Sequence, residues 1–277
     1  MSGKTRALFF PFDLFGSPGT AAGAQLLADA FREMLEDNRR EKVPTRARAY
    51  AGKVRHQEFS FDTLTAYEGW RQDARRAVRQ ALDEGDFLLW VSGNHLGALP
   101  VYEELGRRKG TSLIVQLDAH LDIYNLSDCT TELSHGNFLL HTETALPRII
   151  NVGHRELLLR PDYFQKYYHE TFSAAELAID PEPALTAVQK AVASASRVLL
   201  DLDCDAFDSA FFPAQAHPVA FGLSPHFILR LFEAAWSDRL VGLAISEFDP
   251  ARDRDDRSLA TLMWLIEHVL LKKHEQR

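Results

Sequence analysis

The sequence is poor in cysteine: Cys129 and Cys204 are the two thiols in 277 residues. That excludes a disulfide framework, and a reducing cytoplasm is the expected setting. It has no apolar run approaching the roughly 20 residues that cross a bilayer, which argues against a membrane-spanning helix. The run Ala7-Leu8-Phe9-Phe10-Pro11-Phe12 is short, is broken by proline, and reads as a first strand rather than a signal peptide. Basic charge is in deficit. Lys and Arg number 31 against 39 Asp and Glu, a formal net charge of −8, so neither nucleic acid nor an anionic membrane is an expected partner. There is no internal repeat, low-complexity tract or linker. The turn Gly16-Ser17-Pro18-Gly19 lacks the Lys-Ser/Thr ending of a phosphate loop.

What is present is an ordinary globular composition, 46% hydrophobic and 25% charged, with a length that suits one α/β domain over residues 1–277. Apolar strand-like runs alternate with helical periodicity. This predicts a three-layer, doubly wound, mostly parallel sheet with helices on both faces. Helices are expected over about 21–36, 63–84, 183–195, 225–236 and 257–273, the fourth opened by Ser224-Pro225. Residues 38–62 are polar and basic and read as an irregular excursion. Further central strands are expected at 148–152 and 197–202.

Four short blocks carry the chemistry: Ser92-Gly93-Asn94-His95, Asp118-Ala119-His120-Leu121-Asp122, Asp203-Cys204-Asp205 and Glu247-Phe248-Asp249-Pro250. Each lies at the end of an apolar run, so an open sheet would collect them at the carboxyl ends of its strands. Alternation along an extended segment would point Asp118, His120 and Asp122 to one side. Asp203 and Asp205 would likewise share a side, with Cys204 turned away. A lone Asp-x-Asp is weak evidence, more often a turn or a solvated strand end. Two such blocks with His95 make metal ligation the better reading. Six ligands, four of them carboxylates, exceed a tetrahedral structural zinc site and suit two dications with bridging carboxylates. Two metals about 3.5–4 Å apart can share a water and lower its pKa toward neutrality. The oxygen-rich set favours two Mn²⁺ per chain, with Fe, Co and Zn as alternatives.

In the order and content of these blocks the chain resembles the arginase/agmatinase (ureohydrolase) family. Asp118–Asp122 matches that family's Asp-Ala-His-x-Asp block in full. Residues 92–95 resemble Gly-Gly-Asp-His, with Ser92 and Asn94 departing. Residues 201–209 resemble Ser-x-Asp-x-Asp-x-x-Asp-Pro, with Asp201 and Ser209 departing, and residues 247–250 resemble Glu-x-Asn-Pro. The resemblance implies that His95, Asp118, His120, Asp122, Asp203 and Asp205 are the metal ligands. It implies that His135, in Ser134-His135-Gly136, shuttles a proton and that Glu247 holds a guanidinium. Asp122 belongs to both the metal and the catalytic set. In the loop 123–133, Asn125 is the candidate polar substrate contact. Tyr124, Cys129 and Leu133 break the small polar pattern that would suit an α-carboxylate. Glu156, in Gly153-His154-Arg155-Glu156, is the candidate partner of a charged substrate tail, with a plain surface role as its alternative.

The expected activity is therefore amidinohydrolase: cleavage of a guanidino C–N bond to give urea, or a substituted urea, and an amine. Two alternatives stay open. One is a related metal hydrolase acting on a formimino, hydroxyguanidino or acyl-amide group. The other is a catalytically weak binding relic. A trimer or hexamer is implied by resemblance alone.

Overall fold

The computed structural model describes residues 3–275. Eight strands form one all-parallel sheet: β1 Thr5–Phe10, β2 Val54–Glu58, β3 Phe87–Ser92, β4 Ser112–Leu117, β5 Arg148–His154, β6 Glu170–Ser173, β7 Arg197–Asp203 and β8 Leu240–Ser246. Their spatial order is β2-β1-β3-β8-β7-β4-β5-β6. The helices are α1 Thr20–Arg40, α2 Leu64–Asp83, α3 Leu99–Gly106, α4 Pro161–Phe164, α5 Ala174–Ile179, α6 Glu182–Ser194, α7 Pro225–Ala235 and α8 Arg257–His274. The three-layer, doubly wound architecture expected from the alternating pattern is the one found. The sheet is wholly parallel.

Central strands read as unbroken apolar runs because both faces are covered. Along β1, Ala7 and Phe9 enter the core beneath α1, α6, α7 and α8, whereas Leu8 and Phe10 enter the core beneath α2 and α3. Local capping follows the sequence. Thr63 Oγ1 accepts the Ala66 amide at the start of α2, and Ser224 Oγ accepts the Phe227 amide at the start of α7, where Pro225 occupies the first turn. This is what these residue types do at helix starts.

The region 38–62 departs from the expectation. Val54–Glu58 is an edge strand pairing in parallel with β1, Thr5 opposite Val54 and Phe9 opposite Glu58. Its sequence, Val-Arg-His-Gln-Glu, is mostly solvent-facing. A polar edge strand carries no apolar alternation to detect, and that polarity discourages edge-to-edge association. Helix α1 also runs on to Arg40, past the last apolar residue of its stripe.

Helices α2 and α3 are held together by charge as well as by apolar packing. Glu103 and Glu104 are buried on α3. Arg71 donates to both Glu103 oxygens (2.5 and 3.1 Å), and Arg79 donates to both Glu104 oxygens (2.9 Å each). Arg75 joins them through Glu104 at 3.2 Å. Removing one partner of a buried pair strands the other charge. Arg71→Met is therefore expected to destabilise the fold by about 3 kcal/mol, measured as the shift of the urea unfolding midpoint. Arg40→Ala, in an exposed i,i+4 pair, should change it by less than about 0.5 kcal/mol.

Candidate metal centre

The four strands that lie side by side at the middle of the sheet, β3, β8, β7 and β4, each deliver acidic or imidazole groups at their carboxyl ends. The turn leaving β3 is crowded. The Gly93 amide donates to the Phe10 carbonyl (3.0 Å) and the Asn94 amide to the Phe12 carbonyl (2.9 Å). A Cβ on Gly93 would sit 2.4 Å from the Phe12 oxygen, so only glycine permits this approach. Asn94 does not point at the acidic cluster. Its amide nitrogen donates to the Leu14 carbonyl at 3.0 Å, a bond that an aspartate could not make.

His95 follows as the first residue of a 3-10 turn, and its buried Nδ1 faces three carboxylates. Asp122 Oδ2 lies at 2.8 Å, Asp203 Oδ2 at 3.1 Å and Asp118 Oδ2 at 3.2 Å. The ligand atoms of His95, Asp118 and Asp122 all fall within 4.8 Å of one another. On the other side His120 Nδ1 lies 3.7 Å from Asp118 Oδ1 and 3.9 Å from Asp205 Oδ2. Asp118 thus faces both imidazoles, one with each oxygen.

The six sequence-derived ligand candidates come together, but not by strand alternation throughout. β4 ends at Leu117, and Asp122 occupies the left-handed region at φ 50°. A turn, rather than an extended segment, carries its carboxylate back beneath His95. Asp203 ends β7 and its Oδ1 accepts the Asp205 amide (2.7 Å) as a 3-10 turn begins. The turn sends Cys204 into the core.

The cluster is electrostatically incomplete. Burial, then the neighbouring Asp122, pushes Asp118 up to about 7. Burial, then adjacent carboxylates, lifts Asp203 and Asp205 well above the usual range. Burial lowers His120 to about 4, leaving it neutral at pH 7 as a metal ligand must be. His95 Nδ1, Asp118 Oδ2 and Asp122 Oδ2 are buried without a hydrogen bond. Orphaned polar atoms are rare in protein interiors. Here they face one another, and a bound dication would satisfy them.

Above the cluster sits Glu247, another non-glycine residue at positive φ, 60°. Its Oε1 accepts the His95 amide at 2.8 Å and lies 3.3 Å from His135 Nδ1. Its Oε2 is buried with no hydrogen bond. Burial would raise Glu247, but hydrogen bonds from His135, Ser17 and the His95 amide hold it below its ordinary value. Burial alone would lower His135; contact with Glu247 raises it instead.

Two residues of the site carry no sequence signal. Ser17 Oγ lies 3.3 Å from His135 Nδ1 and 3.1 Å from His217 Nε2, so the glycine-rich turn is part of the site wall. A Cβ on Gly16 would come within 2.8 Å of the His135 side chain. His217 is anchored by its amide to both Asp205 oxygens (3.0 and 3.1 Å). No motif surrounds either residue.

The cavity, partly open to solvent, measures about 220 Å³, and its walls include His120, Tyr124, His135, His217 and Glu247. Asn125 is not on that wall; it lines a separate surface groove with Tyr163 and Tyr167. Glu156 is turned to its own loop, accepting the Leu158 and Leu159 amides, the latter at 2.8 Å, and after burial its charge is the largest influence that raises the Tyr124 hydroxyl. Beside it Arg155 is a clasp rather than a contact for substrate. Its guanidinium donates to the carbonyls of Gly153, Asp205, Ala206, Phe207, Val219 and Ala220 at 3.0–3.4 Å.

Comparison with known proteins agrees with this geometry. By sequence, the chain is 27% identical to an agmatinase of Serratia proteamaculans over 180 residues, 65% of this chain and 57% of that protein. It is 25% identical to a formimidoylglutamase of Staphylococcus aureus over 162 residues, 57% of this chain and 51% of that protein. The matched region thus spans little more than half of these relatives. By structure, the arginase of Bacillus subtilis superposes with a TM-score of 0.79 at 18% identity, covering 97% of this chain and 98% of that one. The proclavaminate amidino hydrolase of Streptomyces clavuligerus superposes at 0.74 and 18%, covering 99% and 93%; at these identities the likeness is one of fold. The Arginase family model matches residues 6–271, and with an all-parallel fold carrying the acidic blocks at its strand ends, the chain belongs to the arginase family.

Proposed function

We propose that the chain is a metal-dependent hydrolase that cleaves a C–N bond of a small guanidino compound, releasing urea or a substituted urea and an amine. The observation that carries this reading is the buried, unpartnered Oε2 of Glu247 on a cavity that the carboxylate–imidazole cluster also lines. A planar cation is the natural occupant beside such an oxygen.

His95, Asp118, Asp122 and Asp203 would hold one dication, and His120 with Asp205 a second, Asp118 serving both. The preponderance of oxygen donors favours Mn²⁺. When bound, the two metals supply Lewis acidity and bring a water's pKa toward neutrality. The chain's own residues do the rest. Glu247, held ionised, accepts N–H bonds from the guanidinium and fixes its plane. Water gives up its protons as its oxygen bonds to the guanidino carbon and the C–N bond to the tail breaks; both protons end on the departing amine, leaving the urea carbonyl. His135, raised by Glu247 and steadied by Ser17, delivers a proton to the departing amine. Tyr124 closes one side of the cavity, where Asn125 and Glu156 do not reach. The reading includes a homo-oligomer, three or six subunits by family resemblance, in a reducing cytoplasm that suits two free thiols.

A second reading is favoured by the formimidoylglutamase relative: the same site acting on a formimidoyl group. The deciding measurement is urea and ammonia or amide release by the Mn²⁺-reconstituted protein across arginine, agmatine, shorter guanidino acids, guanidine and a formimidoyl amino acid. Urea from any guanidino compound supports the first reading. Turnover of the formimidoyl compound alone supports the second. No turnover by protein holding two metals per chain overturns both.

Glu247→Gln is expected to lower kcat/KM on the best substrate by about 100-fold or more, since one charged hydrogen bond in a dry site is lost. His135→Ala should lower kcat by about 10²–10⁴-fold; both variants should retain metal, as read by elemental analysis.

A stability signature follows from Asp118. Its folded value of about 7 lies above the ordinary value of 3.8, so the folded state binds the extra proton and loses stability as pH rises through 7. Metal-free protein is expected to have a lower melting temperature at pH 8 than at pH 6. Saturating Mn²⁺ should abolish or invert that slope; a metal-free slope that already rises would refute the assignment.

A further inference from the structure

Asp201, on β7 and fully buried, is a charged group that the proposed chemistry leaves unused. One of its oxygens, Oδ2, accepts the Tyr102 hydroxyl at 2.5 Å and lies 2.9 Å from His95 Nε2. The other, Oδ1, is buried with no hydrogen bond. Among the described residues its hydrogen-bond and ion-pair partners are Tyr102 and His95; no arginine or lysine contacts it. A carboxylate in such surroundings is costly unless a positive charge answers it.

The geometry around His95 says where that charge is met. Phe138 stands edge-on to the imidazole at 5.1 Å and also edge-on to the Tyr102 ring at 5.6 Å. Ring, phenol and carboxylate therefore form one packed unit. Asp201 can only accept, so Nε2 carries a hydrogen, and Nδ1, which faces Asp118, Asp122 and Asp203, is the nitrogen that would be free to donate its lone pair to a bound dication.

We propose that Asp201 is a positioning residue for the first metal: held by Tyr102, it fixes the tautomer and plane of His95 and strengthens that imidazole as a donor. This rests on the metal-centre reading of the same cluster. A carboxylate behind a ligating imidazole orients the ring and raises its basicity, and removing such a partner costs about 10–100-fold in metal affinity. Asp201→Ser shortens the side chain beyond reach of Nε2. Asp201→Asn keeps an acceptor but removes the charge. Tyr102→Phe keeps Asp201 and frees it to swing.

The test is calorimetric titration of Mn²⁺ into metal-free wild type and the three variants, beside the melting temperature of each without metal. Asp201→Ser is expected to weaken one of the two sites by about 10–100-fold and leave the other nearly unchanged. Asp201→Asn should fall between, and Tyr102→Phe should weaken the same site less. The metal-free melting temperature of Asp201→Ser should change little, because His95 keeps three other carboxylates within 3.2 Å of Nδ1. Two sites as tight in Asp201→Ser and Asp201→Asn as in wild type would overturn the inference while leaving the centre intact. So would a metal-free melting temperature that collapses, which marks a merely structural residue. If Asp201→Ser fails to fold, unchanged affinities in Asp201→Asn and Tyr102→Phe overturn it equally. Wild type that takes up no metal overturns the centre and this inference together.

Discussion

Buried carboxylates repel one another, and the middle of this sheet is built to hold several of them at once. Asp118, Asp122, Asp203 and Asp205 converge where burial denies them water. Burial and neighbouring carboxylates raise Asp118, Asp203 and Asp205 above the usual carboxylate range, so the usual logic of a protein interior is reversed. A bound dication would offset the energy spent on assembling like charges. Much of the surrounding structure acts to keep the assembly from relaxing: strands covered on both faces, strand ends turned sharply, and backbone groups pinned close by.

The pins are specific. Asp122 and Glu247 sit at left-handed backbone angles that ordinary side chains avoid, which the packed turns around them must enforce. Gly93 lets the β3 turn lie against the Phe12 carbonyl, and the Glu247 amide donates to the Gly93 carbonyl at 2.8 Å. Arg155 ties β5 to the segments 205–207 and 219–220 through backbone carbonyls, and its charge lies close enough to favour the ionised form of Asp205. Burial lowers Arg155 from its ordinary value, and the six carbonyls it meets recover part of what water would supply.

The fold and the convergence of the candidate ligands were legible because both follow from pattern: unbroken apolar runs for strands covered on both faces, and acids placed where those runs stop. What escaped the sequence has equally physical causes. β2 lies at an edge, where no buried face imposes periodicity. The turn that swings Asp122 into place is set by tertiary packing, so alternation gave the right partners by a different route. Ser17 and His217 reach the site from loops 200 residues apart, and no local spacing can encode that meeting. Asn125 and Glu156 were assigned from a loop's position in the chain, whereas side-chain direction took them to a neighbouring groove and to their own loop amides. Asp201 stood out only as a departure; its role emerges once Tyr102 and His95 are seen beside it.

The order of the strands has a consequence for how the molecule is made. β8 is last in the chain yet lies between β3 and β7. Until residues 240–246 arrive, β2-β1-β3 and β7-β4-β5-β6 are separate ribbons, each with a bare inner edge. One ribbon carries His95, and the other carries the aspartates it faces. Closing the gap requires contacts between segments distant in sequence, which slows folding and leaves those two edges open to mispairing. An ion captured between the halves would therefore act as a rivet during assembly, joining two ribbons that pair with each other only through β8, the last strand of the chain.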